Sequence, residues 1–233
     1  REIPIDGDGR YAVDIRFSAD PPQFSIVAEV EPAHHAGLGR NLGALTLQQL
    51  KPFCDAESRV TVTVSQQEGG ATHLRTEPGA RIQVYTRDSQ RDWRQVPAQV
   101  SVRRLDPPSG HRPRDEEEIA RTVVADLPAW VAFWSGFKND FLGHPEPNRL
   151  IGPNGRDGGW GYLAGGRFAL GEGQGLLVTI DPAGSYYTGI QIADPWTISP
   201  DPMLRLVSLN SAQVTPGADG TISYVLAGVD PGI

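Results

Sequence analysis

Between Arg10 and Phe17, the apolar residues Tyr11, Val13, Ile15 and Phe17 alternate with Arg10, Asp14 and Arg16, and Ala12 is the neutral position among them. This period of two predicts a half-buried β-strand. After Asp20-Pro21-Pro22 the period resumes at Phe24, Ile26, Ala28 and Val30. Two alternating runs joined by a short turn predict an antiparallel hairpin. Glycines 37, 39 and 43 leave 32–58 irregular, apart from a helical turn expected at Thr46–Lys51. Val60, Val62 and Val64 mark a strand over 59–65, Ile82 and Val84 another over 81–86, and Val100 with Val102 a further one. The stretch between them, 66–79, reads as a turn-rich bridge. Residues 1–105 are therefore expected to form a β-layer domain.

The pattern changes at Asp106-Pro-Pro-Ser-Gly-His-Arg-Pro, so 106–114 reads as a linker. The carboxylates of Asp115 to Glu118 suit the first turn of a helix, where the macrodipole favours negative charge. Ile119, Val123, Leu127, Trp130, Val131, Trp134 and Phe137 then recur at steps of three and four, predicting an amphipathic helical insert over 115–142. Pro128 is expected to kink or divide it, and Gly143 with Pro145 to end it. Its aromatic side (Trp130, Phe133, Trp134, Phe137 and Phe141) is expected to pack on a sheet.

Residues 143–233 read as a β-sandwich portion. Gly158-Gly159-Trp160-Gly161-Tyr162 is not followed by Gly-Lys-Ser/Thr, and no βαβ context surrounds it, so phosphate-loop and dinucleotide readings fail. These glycines instead predict a loop passing close to another surface. Strands are expected at 176–180 and 186–193, closed by Asp181-Pro182 and Asp194-Pro195. Pro216 to Gly220 predicts a hairpin joining 204–214 to 221–227. The fold class is thus mainly β, in one or more β-sandwiches with a helical insert.

Composition narrows the function. The 233 residues carry 27 glycines and 20 prolines, as expected of short strands joined by many turns. A net charge of −7 with scattered arginines argues against a nucleic-acid partner and against attraction to anionic membranes. The single cysteine, Cys54, permits no intrachain disulfide. No apolar run approaches the roughly 20 residues of a spanning helix. A cytoplasmic location is the default expectation, although Arg1 in place of Met leaves room for a longer native N-terminus.

Several stretches carry a family resemblance. They are Ala80 to Leu105, including Asp92-Trp93 and Pro97-Ala98, then Asp194-Pro195-Trp196, Arg205, Ser208-Leu209-Asn210, Asp219-Gly220 and Asp230-Pro231-Gly232. Together they resemble the bacterial family catalogued as domain of unknown function 1214, common in actinobacteria. The resemblance implies a jelly-roll-like β-sandwich with a helical insert, and it brings no established activity. Family members usually continue past Asp-Pro-Gly through Asn-Trp-Leu into a further strand and carry residues before the first hairpin, so both ends are expected to be missing here. The Phe24–Val30, Arg40–Leu42 and Arg59–Ser65 series also echoes the Tyr186–Ala193, Ser208–Asn210 and Thr221–Ala227 series in outline, as two related β-layers would.

Asp194, Arg205 and Asp230 fall in loops of one predicted meander and form the candidate catalytic set, a carboxylate acid/base tuned by a cation. The alternative is that each Asp caps a turn. Trp160, Tyr162, Tyr186, Tyr187 and Trp196, with Asn210, form the candidate ligand-binding set, against an alternative of ordinary packing. No metal is expected, since His34-His35, His73, His111 and His144 lack ligand spacing. No motif calls for a cofactor, and Ser185 and Ser208 lie in no nucleophile elbow. The resulting expectation is a soluble protein binding a small, largely apolar or ring-containing molecule in an aromatic-lined sandwich pocket. The alternatives are a metal-independent enzyme acting on such a molecule, and a homo-oligomeric assembly module pairing through open strand edges.

Overall fold

The computed structural model describes residues 2–18, 21–30, 39–67, 69–107, 115–143, 146–156 and 158–232. Most of the expected linker, 108–114, lies outside the described residues. The chain divides into two compact units, Arg1–Trp134 with Gly155–Gly161, and Ser135–Asn154 with Tyr162–Ile233.

The first unit contains β1 (Glu2–Asp6), β2 (Tyr11–Arg16), β3 (Gln23–Val30), β4 (Arg40–Thr46), α1 (Leu47–Leu50), β5 (Arg59–Ser65), β6 (His73–Arg75), β7 (Arg81–Ser89) and β8 (Gln99–Arg104). One sheet has the order β1-β7-β3-β4 and the other β6-β5-β2-β8. Both sheets send their alternate apolar residues into one buried cluster, which includes Val13, Ile15, Phe24, Ile26, Val62, Val64, Ile82 and Val84. Each such side chain contributes about 1.5–3 kcal/mol by leaving water. This is a β-sandwich core.

The hairpin expected from 10–17 and 24–30 does not form. β2 pairs with β5 and β8, while β3 pairs with β4 and β7. Alternation specifies a buried face without specifying the neighbouring strand, and here the two faces meet across the core. Phe17 and Phe24 touch edge-to-face with centroids 5.1 Å apart. Part of the segment expected to be irregular is strand β4, and the 66–79 bridge contains β6, which pairs in parallel with β5. The helical turn forms as expected, with Gln49 Oε1 accepting from the Thr46 N–H at 2.8 Å.

The helical insert is α2 (Glu116–Phe137), followed by a π-helical stretch, Lys138–Gly143. Asp115 caps it: Oδ1 accepts the Glu118 N–H at 2.8 Å, and Glu118 Oε2 accepts the Asp115 N–H at 3.1 Å. This reciprocal pair is a capping box. Pro128 lies inside α2 without dividing it. No residue of α2 is buried, so its aromatic side is not covered as expected. Instead its rings pack on one another, with Trp134 5.3 Å from Phe133 and 6.0 Å from Trp130.

The second unit holds two-stranded ladders: β9 (Ile151–Gly155) with β10 (Tyr162–Gly165), β11 (Gly175–Ile180) with β14 (Ile222–Ala227), and β12 (Gly189–Gln191) with β13 (Ser208–Asn210). The hairpin expected between 204–214 and 221–227 is therefore replaced, and only Gly189–Gln191 of the expected 186–193 strand pairs. The register explains the choice. Leu176, Val178 and Ile180 stand opposite Leu226, Tyr224 and Ile222, and this apolar face forms the unit's core.

Candidate functional site

The predicted acid/base set is dispersed into turns of the second unit. Asp194 Oδ1 accepts the N–H groups of Trp196 at 2.8 Å and Ile198 at 2.9 Å. Asp230 Oδ1 accepts the Gly232 N–H at 2.9 Å. The Arg205 side chain is exposed, and no hydrogen bond or ion pair joins it to Asp194 or Asp230. Asn210 Oδ1 accepts the Ala212 N–H at 2.9 Å, and Asp219 Oδ1 accepts the Thr221 N–H at 3.0 Å. The Asp-Pro-Trp, Ser-Leu-Asn, Asp-Gly and Asp-Pro-Gly motifs are thus all side-chain-capped turns.

The predicted aromatic set is divided as well. Tyr162, Tyr186 and Trp196 belong to the second unit and are each more than 60% exposed. Lys138 Nζ lies 4.8 Å from the Trp196 ring centre. Trp160 belongs to the first unit, where the glycine-rich loop crosses the outer face of the β1-β7-β3-β4 sheet. This is the close approach that the glycines predicted. A Cβ on Gly158 would stand 3.0 Å from Val27 Cγ2, and one on Gly159 2.8 Å from Thr46 Cγ2. Beneath the loop Ser25 and Val27 are buried. Tyr85 meets Trp160 edge-on at 6.4 Å, and the guanidinium carbons of Arg87 and Arg156 lie 5.4 and 4.8 Å from its ring centre.

A cleft of about 460 Å³ opens at the sandwich mouth, where β2 ends and β5 and β8 begin. Arg16, Phe17, Ser18, Ala56, Glu57, Ser58 and Gln99 line it. Phe17 is buried, while the other six residues are exposed. None belongs to the predicted ligand-binding set. Ser58 has φ +58°, a left-handed conformation that non-glycine residues adopt at a cost. It is held there because its N–H donates to the Asp55 carbonyl at 3.1 Å and its carbonyl accepts the Phe17 N–H at 3.0 Å. Asp55 Oδ1 fixes the rest of the turn by accepting the N–H groups of Glu57 at 2.9 Å and Arg59 at 2.8 Å.

Phe17 and Ser18 also line an adjoining cavity of about 10 Å³, shared with Pro21, Asp88, Gln90, Gln95, Val96 and Ala98. Such a space is about the size of one water. Asp88 Oδ2 accepts the Ala98 N–H at 2.6 Å, and its Oδ1 is sealed from solvent with no hydrogen-bond partner among the described residues. Burial raises this carboxyl above its ordinary range, with the Ala98 bond opposing the shift. The Ser18 hydroxyl donates to the Val96 carbonyl, fastening the same loop to the mouth. A desolvated carboxyl beside a cleft is the kind of group that functional sites contain. Sequence reasoning missed Asp88 because only its burial distinguishes it from other carboxylates.

Among the described residues, no three His, Cys, Asp or Glu side chains converge to hold a metal ion. His73 Nε2 lies 3.1 Å from Ser65 Oγ, whereas His34, His35, His111 and His144 lie outside the described residues. Among the described residues, no helix is long and apolar enough to cross a membrane.

Fold and cleft define a mainly β protein with a two-sheet sandwich, a helical insert and an open mouth. No family model and no curated protein matches the chain. Among solved structures, it is similar to an uncharacterized protein from Burkholderia cenocepacia, with a TM-score of 0.80 and 20% identity. The likeness covers 99% of this chain and 66% of that one, so the chain spans just under two thirds of that protein's length. At this identity the likeness shows the fold alone.

Proposed function

We propose that this protein binds a small molecule at the sandwich mouth. The observation that carries the reading is the open cleft of about 460 Å³ lined by Arg16, Phe17, Ser18, Ala56, Glu57, Ser58 and Gln99. Its volume lies within the ordinary range of ligand sites, roughly 300–1,000 Å³. The lining alters the expected ligand: one buried aromatic floor residue is surrounded by a cation, a carboxylate, two hydroxyls and an amide. It suits a compact ring or short apolar body bearing polar groups of both signs. Any acid/base step at this site would fall to Glu57, the carboxylate in its lining, because Asp88 lies beyond the shared wall of Phe17 and Ser18. Membership of the domain-of-unknown-function 1214 family is part of this proposal and supplies no ligand.

Fragment screening by ¹H–¹⁵N NMR tests the reading. Ring compounds carrying an amine and a carboxylate should shift Arg16–Ser18, Ala56–Ser58 and Gln99, and Ala56→Trp should abolish the response by filling the cleft. Shifts confined to Trp196, Tyr186 and Tyr162 would contradict it.

The assembly alternative also has a specific observation in its favour. In the second unit Trp196, Ile198, Met203, Leu204 and Leu206 are all exposed, Met203 by 88%. Large apolar side chains gathered in one short segment suit contact with a second copy of the chain. Sedimentation velocity should then show a dimer that Leu204→Glu with Leu206→Glu dissociates. A wild-type monomer at all concentrations would remove this reading.

A further inference from the structure

We propose that the outer face of the β1-β7-β3-β4 sheet carries a second binding site, for an anion, in which Arg87 and Arg156 converge on Trp160 to receive a phosphate or carboxylate group. Arg87 stands on β7 opposite Ser25 of β3, two pairs along from Tyr85 and Val27, so Tyr85 and Arg87 share the face beneath the loop. Arg156 and Trp160 flank the turn of the glycine-rich loop, closed where the Arg156 N–H donates to the Gly161 carbonyl at 2.8 Å. Glycines 158, 159 and 161 all have φ between +70° and +77°, which lets this turn lie flat on Val27 and Thr46.

The electrostatics are unbalanced. Both guanidinium groups lie within 5.4 Å of one ring centre. Burial, and then the charge of Arg87, make the charged form of Arg156 less favourable than usual. Other arginines of the same unit are paired, Arg103 with Asp14 at 3.0 Å, Arg104 with Asp106 at 3.0 Å, Arg94 with Asp92 at 2.6 Å and Arg40 with Glu77, whereas Arg16, Arg59 and Arg75 stand alone among the described residues. What sets Arg87 and Arg156 apart is that two unpaired cations meet at one ring. Among the described residues, Arg87 and Arg156 have no carboxylate partner, and neither guanidinium donates a side-chain hydrogen bond. This occurs in a chain of net charge −7, where carboxylates are plentiful. The indole offers both cations a π face, and their N–H groups are not spent on any side-chain acceptor among the described residues. Planar N–H forks are the donors that bind carboxylate and phosphate oxygens in pairs. An incoming anion would supply the missing counter-charge.

The test is titration of the full chain with inorganic phosphate, with benzoate, and with chloride at matched ionic strength. The arginine Nε–H and Trp160 indole resonances are followed by NMR. Phosphate or benzoate should give saturable shifts at Arg87, Arg156 and Trp160 that chloride does not give. Tighter phosphate binding would assign a phosphoryl ligand, and tighter benzoate binding a carboxylate on an apolar body. Arg87→Gln and Arg156→Gln should each weaken binding at least tenfold. Arg87→Lys, which keeps the charge, should fall between wild type and Arg87→Gln. In thermal melts without added anion, Arg87→Gln should be no less stable than wild type, since it relieves a repulsion. Equal responses to all three salts, unchanged affinity in both Gln variants, or a melt showing that Arg87 serves only to hold the fold would overturn the site.

Discussion

The Asp88 carboxylate accepts the backbone N–H of Ala98 at 2.6 Å, tying the end of β7 to the segment that leads into β8. That bond places one oxygen of a half-buried carboxyl on structure and leaves the other sealed beside the sandwich mouth. Removing the carboxylate altogether, in Asp88→Ala, strands the Ala98 donor and should cost about 1–3 kcal/mol. Asp88→Asn keeps an acceptor and should behave differently with pH. The folded-state value is raised, so the native protein holds this proton more tightly than the unfolded chain. Stability therefore falls as pH rises through the interval between the unfolded and folded values, beginning near 4. Urea denaturation from pH 3.5 to 7 should show Asp88→Asn gaining on wild type across that interval. A constant difference between them would contradict the assignment.

Ser58 should be a strained position in the wall of the cleft. Replacing it with glycine removes the left-handed penalty and gives back some of that gain as unfolded-state entropy. Ser58→Gly should be neutral or stabilising by up to about 1 kcal/mol in denaturant melts. It should also weaken cleft ligands through the lost hydroxyl. A loss of stability would mean that the turn needs the serine side chain.

The loop over the outer sheet face depends on glycine. Gly159→Ala would place a methyl 2.8 Å from Thr46 Cγ2 at φ +70°, and should cost about 1–3 kcal/mol. Gly70→Ala is the control, since nothing lies within 4 Å of its added carbon and its φ is not in the left-handed region. Hydrogen exchange should quicken at Ser25 and Val27 in the first variant and stay unchanged in the second.

Asp92 provides an exposed comparison. The Arg94 side-chain hydrogen bond, followed by the Arg94 backbone N–H, lowers its carboxyl to about 2. A depressed carboxyl stabilises the fold above its unfolded value and loses that contribution as pH falls toward about 2. Solvent screens this pair, so Arg94→Ala should lower the urea midpoint at pH 7 only slightly. In ¹³C titrations it should return Asp92 toward the ordinary range. An unmoved Asp92 would show that the ion pair does not persist in solution.

Alternation made the strands of the first unit legible, and the capping carboxylate at Asp115 with the apolar stripe made α2 legible. The partners of those strands were not. Tyr11 to Phe17 and Phe24 to Val30 present the same pattern whether they pair edge to edge or face each other across a core. The β11–β14 ladder depended on matching Leu176, Val178 and Ile180 to residues more than forty positions away. The residue types of Asp-Pro-Trp and Asp-Pro-Gly suit chemistry, yet the same types also cap turns, as they do here. Asp88, Arg87 and Arg156 gave no signal. Their distinction is a matter of burial and of missing counter-charges, which become visible only when the sheets are assembled. The glycine-rich loop was legible in part: its close approach follows from composition, but the surface it approaches does not.

The most direct test of small-molecule binding at the mouth is native mass spectrometry on gently purified wild type and Ala56→Trp, with bound species mapped by ¹H–¹⁵N shifts. Wild type should carry a small bound molecule that is absent from the variant, with shifts centred on Phe17, Ser58 and Gln99. A ligand retained by Ala56→Trp, or one whose shifts centre on Trp196 and Tyr186, would contradict it.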